Sequence, residues 1–304
     1  MAYYTGSAAN FTALRAALID ACVDNGWTWD AGNEELSKSA IKIRLTTDSL
    51  HLTARARLTS GTDTGASGKC HIGRSGATGN TDLVFPVVYR VFAFAEPDEV
   101  YLVVSHSVDV YQFMAFGKSA IALPGSGTWL SASLDNNAWY DTFNFSSAVD
   151  GSTGTSGSSS RCCPVMFASN GFSDTGHRNS YLHHKLESGL DDWMLGAGNA
   201  SGVLAEPGWC TKLATQPNVW NSESVLLPLR AWLPRASNKI SLAVDLKNAR
   251  HVRIDYYDHG QILTLGEDHW MVFPWYRKNV AARNGGSSIL HSGTAGWAIR
   301  YDGP

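Results

Sequence analysis

The side chains that could do chemistry in this chain fall into a few groups. Ten histidines are present, and His177, His183 and His184 lie close together in sequence. In a loop, His177 and His183 could converge on a structural metal, with His184 as a further ligand. A second group collects Asp255, Asp258, His259 and His269. No His-x-x-x-His or His-Glu-x-x-His spacing occurs, so neither group has the helical geometry of a catalytic metal site. Polar-surface and subunit-contact roles account for most of these histidines.

Carboxylates and aromatics form the next group. Asp135, Asp141, Glu187, Asp191 and Asp192 stand near Trp129, Trp139, Tyr140 and Trp193 in sequence. Two carboxylates facing one another across a groove hydrolyse glycosidic bonds, and an aromatic beside a carboxylate suits a stacked sugar. Trp139, Tyr140 and Asp141, and Trp193 with Asp191 and Asp192, are therefore candidate glycan contacts. Nothing in the spacing pairs two of the acids, and the same residues equally suit core packing and solvated turns. There is no Gly-x-Ser-x-Gly elbow, and no histidine stands at a diagnostic spacing from Cys162-Cys163-Pro164. Gly125-Ser-Gly-Thr-Trp129 lacks the lysine and the helix of a phosphate loop. The chain is expected to be no enzyme and to need no cofactor.

The elements that would position these groups are mostly strands. Apolar residues at Phe11, Leu14, Leu18 and Cys22 form one helical stripe, with Asn10 as cap and Asn25-Gly26 as stop. Ala40–Leu45 and His51–Arg57 alternate. Leu83–Phe94 and Val100–Phe116 read as the arms of a long hairpin turning at Glu96-Pro97-Asp98-Glu99. Gln261–Leu265 and His269–Phe273 read as a second hairpin around Gly266-Glu267-Asp268. Val225–Leu233, Ile240–Leu246 and Val252–Tyr257 are further strand candidates, the middle one ambiguous with a helix. The closing strand places Trp297, Ile299 and Tyr301 on one face and Ala298 and Arg300 on the other. The fold class that follows is mainly β, an antiparallel sandwich-like body with the N-terminal helix packed on it and long polar loops. Thr59–Thr81 and Ser146–Ser160 are too polar to bury. The second of these divides the chain into a helix-plus-β half over 1–145, a Ser/Gly-rich loop over 146–160 and a β-rich half over 161–304. The two halves could equally share one domain.

Of 304 residues, 44% are hydrophobic and only 17% charged, with a formal net charge of −3. That balance supplies a large core and no electrostatic footprint for nucleic acid. The five cysteines include no C-x-x-C pair and read as reduced thiols of a protein assembled in the cytoplasm. No signal peptide and no membrane insertion are expected. The eleven tryptophans are expected mainly in core and interface.

Several segments carry a resemblance. Tyr3-Tyr-Thr-Gly-Ser-Ala, with Leu14, Leu18 and Asn25-Gly26-Trp27 after it, is similar to the opening of a family of tailed-bacteriophage and prophage virion proteins. The resemblance continues through Asp98–Val104, Tyr111–Lys118, Leu123–Trp129, His177-Arg178-Asn179, Val272–Asn279 and Gly293–Pro304. It spans the chain and is weakest in the two polar loops and around 198–222. None of its motifs is catalytic. It implies a structural component of a phage tail at the baseplate or tail tip, a trimer or hexamer in contact with other tail proteins or fibres. The alternatives are a lectin-like module for a host surface glycan and, behind it, a polysaccharide depolymerase.

Overall fold

A computed structural model describes residues 1–63, 68–74, 83–107, 109–134, 142–143, 161–162, 165–167, 179–186, 192–196, 203–204, 225–235, 237, 239–278, 292 and 294–303. The Ser146–Ser160 loop lies outside them. The single described helix, α1 (Phe11–Val23), starts where the sequence places it, with the Asn10 side chain accepting from the Ala13 amide at 2.8 Å. It ends through Gly26, whose φ of +81° lets the Trp27 amide reach back to Cys22 O at 3.1 Å. Phe11, Leu14, Leu18, Ala21 and Cys22 are its buried face. Burial pushes the Cys22 thiol far up, leaving it protonated and inert.

The rest is mainly β, as expected, in three packed sheets that are antiparallel except at one short edge pair. The small sheet runs β2 (Thr28–Asp30), β3 (Glu35–Lys38), β4 (Ile41–Thr47), β5 (His51–Ala56) and β6 (Lys69–Gly73) in sequence order. The central sheet takes β1 (Ala2–Ala8), β7 (Val87–Ala95), β8 (Asp98–His106), β9 (Val110–Lys118), β10 (Thr128–Ala132), β13 (Ser180–His184), β14 (Asp192–Gly196) and β15 (Val203–Leu204), the last pair parallel. A parallel pair of two-residue strands, β11 (Thr142–Phe143) and β12 (Arg161–Cys162), stands apart from it. The outer sheet runs β16 (Leu227–Arg235), β17 (Lys239–Arg253), β20 (Ala295–Arg300), β19 (Asp268–Pro274) and β18 (Ile262–Leu265).

The middle strands of the central sheet, β8, β9, β10 and β13, are buried on both faces. Val100, Leu102 and Val104 of β8 point with Met114, Phe116 and Leu130 into a core shared with α1 and the small sheet. Tyr101 and Val103 point with Phe92, Phe113 and Trp129 into a core shared with Phe273, Trp297 and Ile299 of the outer sheet. Here Trp275 stacks on Trp297 with ring centres 4.8 Å apart. Residues from both halves of the chain build this second core.

Four sequence readings change in detail. Val100–Phe116 is two strands, because Ser107 and Asp109 adopt φ of +56° and +58° and reverse the chain without glycine or proline. Ile240–Leu246 and the first two residues of Val252–Tyr257 belong to one strand, β17, which runs through Asn248 and stops at Arg253, while Ile254–Tyr257 turn, with the Tyr257 amide on Ile254 O at 3.2 Å. The expected polar loop over Thr59–Thr81 contains β6, whose Cys70 and Ile72 enter the core. Glu99 leaves the turn and enters β8, because Ala95 already pairs with Asp98.

Glu99 explains why β17 continues. Its side chain is 1% exposed and lies in the seam between central and outer sheets. Oε2 accepts from the Tyr101 hydroxyl at 2.8 Å, Asn248 Nδ2 at 2.8 Å and the Asn248 amide at 3.1 Å. Oε1 accepts from the Lys247 amide at 3.2 Å. A polar stretch within a buried strand is thus satisfied by a carboxylate from the facing sheet. Burial raises the Glu99 carboxyl above its ordinary range, against the opposing pull of these four donors. Removing the acceptor would strand all of them. We expect Glu99→Ala to lower stability by about 3 kcal/mol and Glu99→Gln by roughly half of that, measured by urea unfolding.

His251, on β17, is fully buried with its ring 5.8 Å from Trp275, and burial lowers its pKa from 6.5 to about 3. The fold therefore prefers the neutral ring. That contribution is complete above pH 6.5 and is lost as the pH falls from 6.5 toward 3, by up to about 1.4 kcal/mol per pH unit. Stability followed from pH 7 to pH 4.5 should fall more steeply in the wild type than in His251→Gln; parallel profiles would remove His251 as the cause.

Candidate functional site

A half-open concavity lies beside the β9–β10 connection. Lys118 and Ser119 end one side, Ala120–Leu123 form the floor, and Gly125-Ser126-Gly127 closes a cleft of about 370 Å³ with Ala40 opposite. The connection is fastened at three points. Ser119 Oγ donates to Ala243 O of β17 at 2.7 Å, the Lys185 amide donates to Pro124 O at 2.6 Å, and the Gly127 amide donates to His183 O at 3.1 Å. Gly125 has φ of +104°, and a Cβ there would stand 2.9 Å from His184 Cα. Only glycine fits this approach.

His183 lies under the loop, 3% exposed, with Nδ1 2.9 Å from the Ser126 amide and 3.0 Å from Ser126 Oγ. A serine hydroxyl against an imidazole at a cleft mouth invites comparison with a nucleophile and its base. The amide bond argues otherwise. Nδ1 must be unprotonated to accept from the Ser126 N–H, so its one lone pair already holds the loop in place. Taking the hydroxyl proton would break that bond and release the loop. The Oγ also accepts from the Thr128 amide at 3.2 Å, which further commits it to loop geometry. The pair is a latch, and the cleft presents hydroxyls, backbone and one lysine for contact rather than for covalent chemistry.

The sequence candidates separate in space. His183 and His184 leave β13 on opposite faces: His183 stands 5.4 Å from the Trp193 ring, while His184 Nδ1 accepts from the Leu186 amide at 3.1 Å. His177 lies outside the described residues, among which no three His, Cys, Asp or Glu side chains gather as a metal site would require. Trp139, Tyr140, Asp141 and Asp191 also lie outside the described residues. Asp192 opens β14, and Trp193 is buried at 2% exposure in the core between the central and small sheets, where a sugar could not reach its ring face. Trp129, with no exposed surface, is likewise core. Of the second group, Asp255 is held by Arg253 at 2.7 Å and 2.8 Å, and His259 faces Asp109 at 3.3 Å.

Two positions that hold the structure together read differently in the sequence. Glu99 read as a turn acid, and Ser126 as part of a phosphate-loop look-alike without its lysine. A hint for Ser126 was available in the glycines on both sides of it, which mark a tight approach of backbone to neighbouring atoms.

No protein-family model matches the chain, and no curated protein matches it. Function has to be argued from the geometry and from the sequence resemblance.

If Ser126–His183 is a latch, an active-site serine reagent such as a fluorophosphonate leaves Ser126 unmodified in the folded protein, and His183→Gln lowers stability by about 1–2 kcal/mol. Labelling of Ser126 in intact-mass and peptide mapping would contradict this.

Proposed function

We propose that the chain is a structural component of a bacteriophage tail, at the baseplate or tail tip. It works as a homo-oligomer, a trimer or hexamer around the tail axis, and contacts other tail proteins or fibres. Assembly takes place in the host cytoplasm, and the finished protein resides in the virion. The sequence resemblance supports this reading. Its segments Tyr3–Ala8, Asp98–Val104, Tyr111–Lys118 and Val272–Pro274 fall on β1, β8, β9 and β19, which makes them scaffold rather than catalytic loops.

The observation that carries the reading is the β18 edge. β18 pairs only with β19 among the described residues, and its sequence Ile-Leu-Thr-Leu contains neither charge nor proline. The hairpin closes on the Leu265–Asp268 pair around Gly266-Glu267, and the Val272 amide bonds Gln261 O at 2.9 Å. Alternation along an antiparallel ladder then aims the main-chain groups of Ile262 and Thr264 away from β19. Ile262 is 44% exposed and Leu265 51%. Proteins that remain single often blunt such edges with charge or proline, and over Ile262–Leu265 this apolar edge carries neither, which leaves it open to pairing with another chain. Ile240, exposed at the β16–β17 turn, adds a second apolar contact point.

Immunogold labelling of intact particles with an antibody to this chain should place gold at the distal end of the tail. Label on the capsid, or on no finished particle, would sink the proposal. Independently, Thr264→Pro, which removes an outward amide, should shift the isolated protein toward monomer in light scattering.

A further inference from the structure

A second concavity, of about 680 Å³, lies between the end of α1 and β2, lined by Ile19, Asp20, Val23, Asp24, Trp27, Thr28 and Trp29. Trp27 is buried there, Trp29 is half-buried with one part of its indole in the groove, and Val23 is 44% exposed. Asp20 and Asp24 are both exposed on the same rim, one helical turn apart.

These two carboxylates stand where local energetics disfavour them. Like charges at i and i+4 repel, and Asp20 in the last turn of α1 and Asp24 at its C-cap both stand at the negative end of its dipole. The last turn holds no basic residue to offset them. Neither carboxylate has a hydrogen-bond or ion-pair partner among the described residues. Most other described acids are engaged: Glu34 with Arg15 and Arg44, Glu35 and Asp63 with Arg57, Asp245 with Arg230, Asp268 with Arg300. Lys38, whose ammonium reaches Asn25 O near the helix end, is already committed to Asp98 at 2.7 Å. A departure from helix-end rules without a structural return marks a functional position.

We propose that this groove docks a cationic segment of a neighbouring protein. Arginine or lysine head groups would lie between Asp20 and Asp24 at the negative helix end and over the Trp29 indole, with their methylenes on Ile19 and Val23. Charge complementarity selects this occupant: two unpaired exposed carboxylates give a negative rim, the indole face favours a cation, and the aliphatic floor suits the stems of long basic side chains. The inference extends the assembly role proposed above to a second surface, on the opposite side of the central sheet from β18.

The test uses the full chain and a capped tetra-arginine peptide, titrated at low salt by calorimetry. Binding should weaken by about tenfold in Asp20→Asn/Asp24→Asn, and by a similar factor in Trp29→Leu, as expected for losing charge-assisted contacts. It should stay unchanged in Glu267→Gln, which removes an exposed acid elsewhere. The double Asn variant should melt at or above the wild-type temperature, since it relieves repulsion at the helix end. Wild-type-like binding by the double variant, no binding by the wild type, a lower melting temperature, or quenching of Trp29 by a neutral hexose instead of the peptide would each overturn the proposal. Peptide binding and the presence of the chain in particles are independent outcomes, so failure of one reading does not mimic failure of the other.

Discussion

Everything in this molecule depends on a pair of central strands that have no solvent face. β8 and β9 bury both sets of alternating side chains, so the central sheet must be covered twice. One face is covered by α1 and the small sheet, the other by the outer sheet. Apolar burial of this kind supplies the main driving force, at about 25 cal/mol per Å² removed from water. It does not set register. That falls to a few polar contacts across the seams: Glu99 reaching Asn248 and Lys247 on one side, and Gln112 exchanging two hydrogen bonds with the Gly73 backbone on the other. A slip by one residue in β8 would put Glu99 into the opposite core, away from its three donors on β17.

This arrangement also accounts for where function can reside. The described interior carries tryptophans, tyrosines and histidines in packed contacts, and its one seam carboxylate is consumed by four hydrogen bonds. What is left uncommitted lies outside: an open strand edge at β18, a polar cleft behind the Ser126 loop and an acidic, aromatic groove at the end of α1. Each is a surface for contact. A chain that invests its polar chemistry in holding sheets together, and leaves edges and grooves unpaired, is suited to assembly. The tail-component reading rests on that logic together with the sequence resemblance.

The parts of the fold legible in the sequence were those governed by local rules. Asn10 and Gly26 bound α1 because capping geometry is decided by neighbouring residues. The β18–β19 hairpin was legible because Gly266 marks its turn. Parts governed by partners distant in sequence were not. The reversal at Ser107–Asp109 has no glycine or proline to mark it and lies within a long run of strand-forming residues. Asn248 looked like a break because the acid that satisfies it stands on another sheet. The same reason hid Glu99, and Trp193, whose neighbouring aspartates suggested a sugar platform, is claimed by a core that only the three-dimensional packing reveals. Asp20 and Asp24 were visible as helix acids, but their isolation becomes apparent only when the other acids are seen to be paired.

The central claim is that the two-faced sheet and both its coverings form one cooperative body, with no boundary between the halves of the chain. Native-state amide hydrogen exchange tests it most directly. Amides of β8, β9, β17 and β20 should exchange only through global unfolding, with one shared free energy that falls together in Glu99→Ala. If β17 and β20 instead open at a much lower free energy than β8 and β9, the outer sheet is a separate unit docked on the rest, and the account of the Glu99 seam fails.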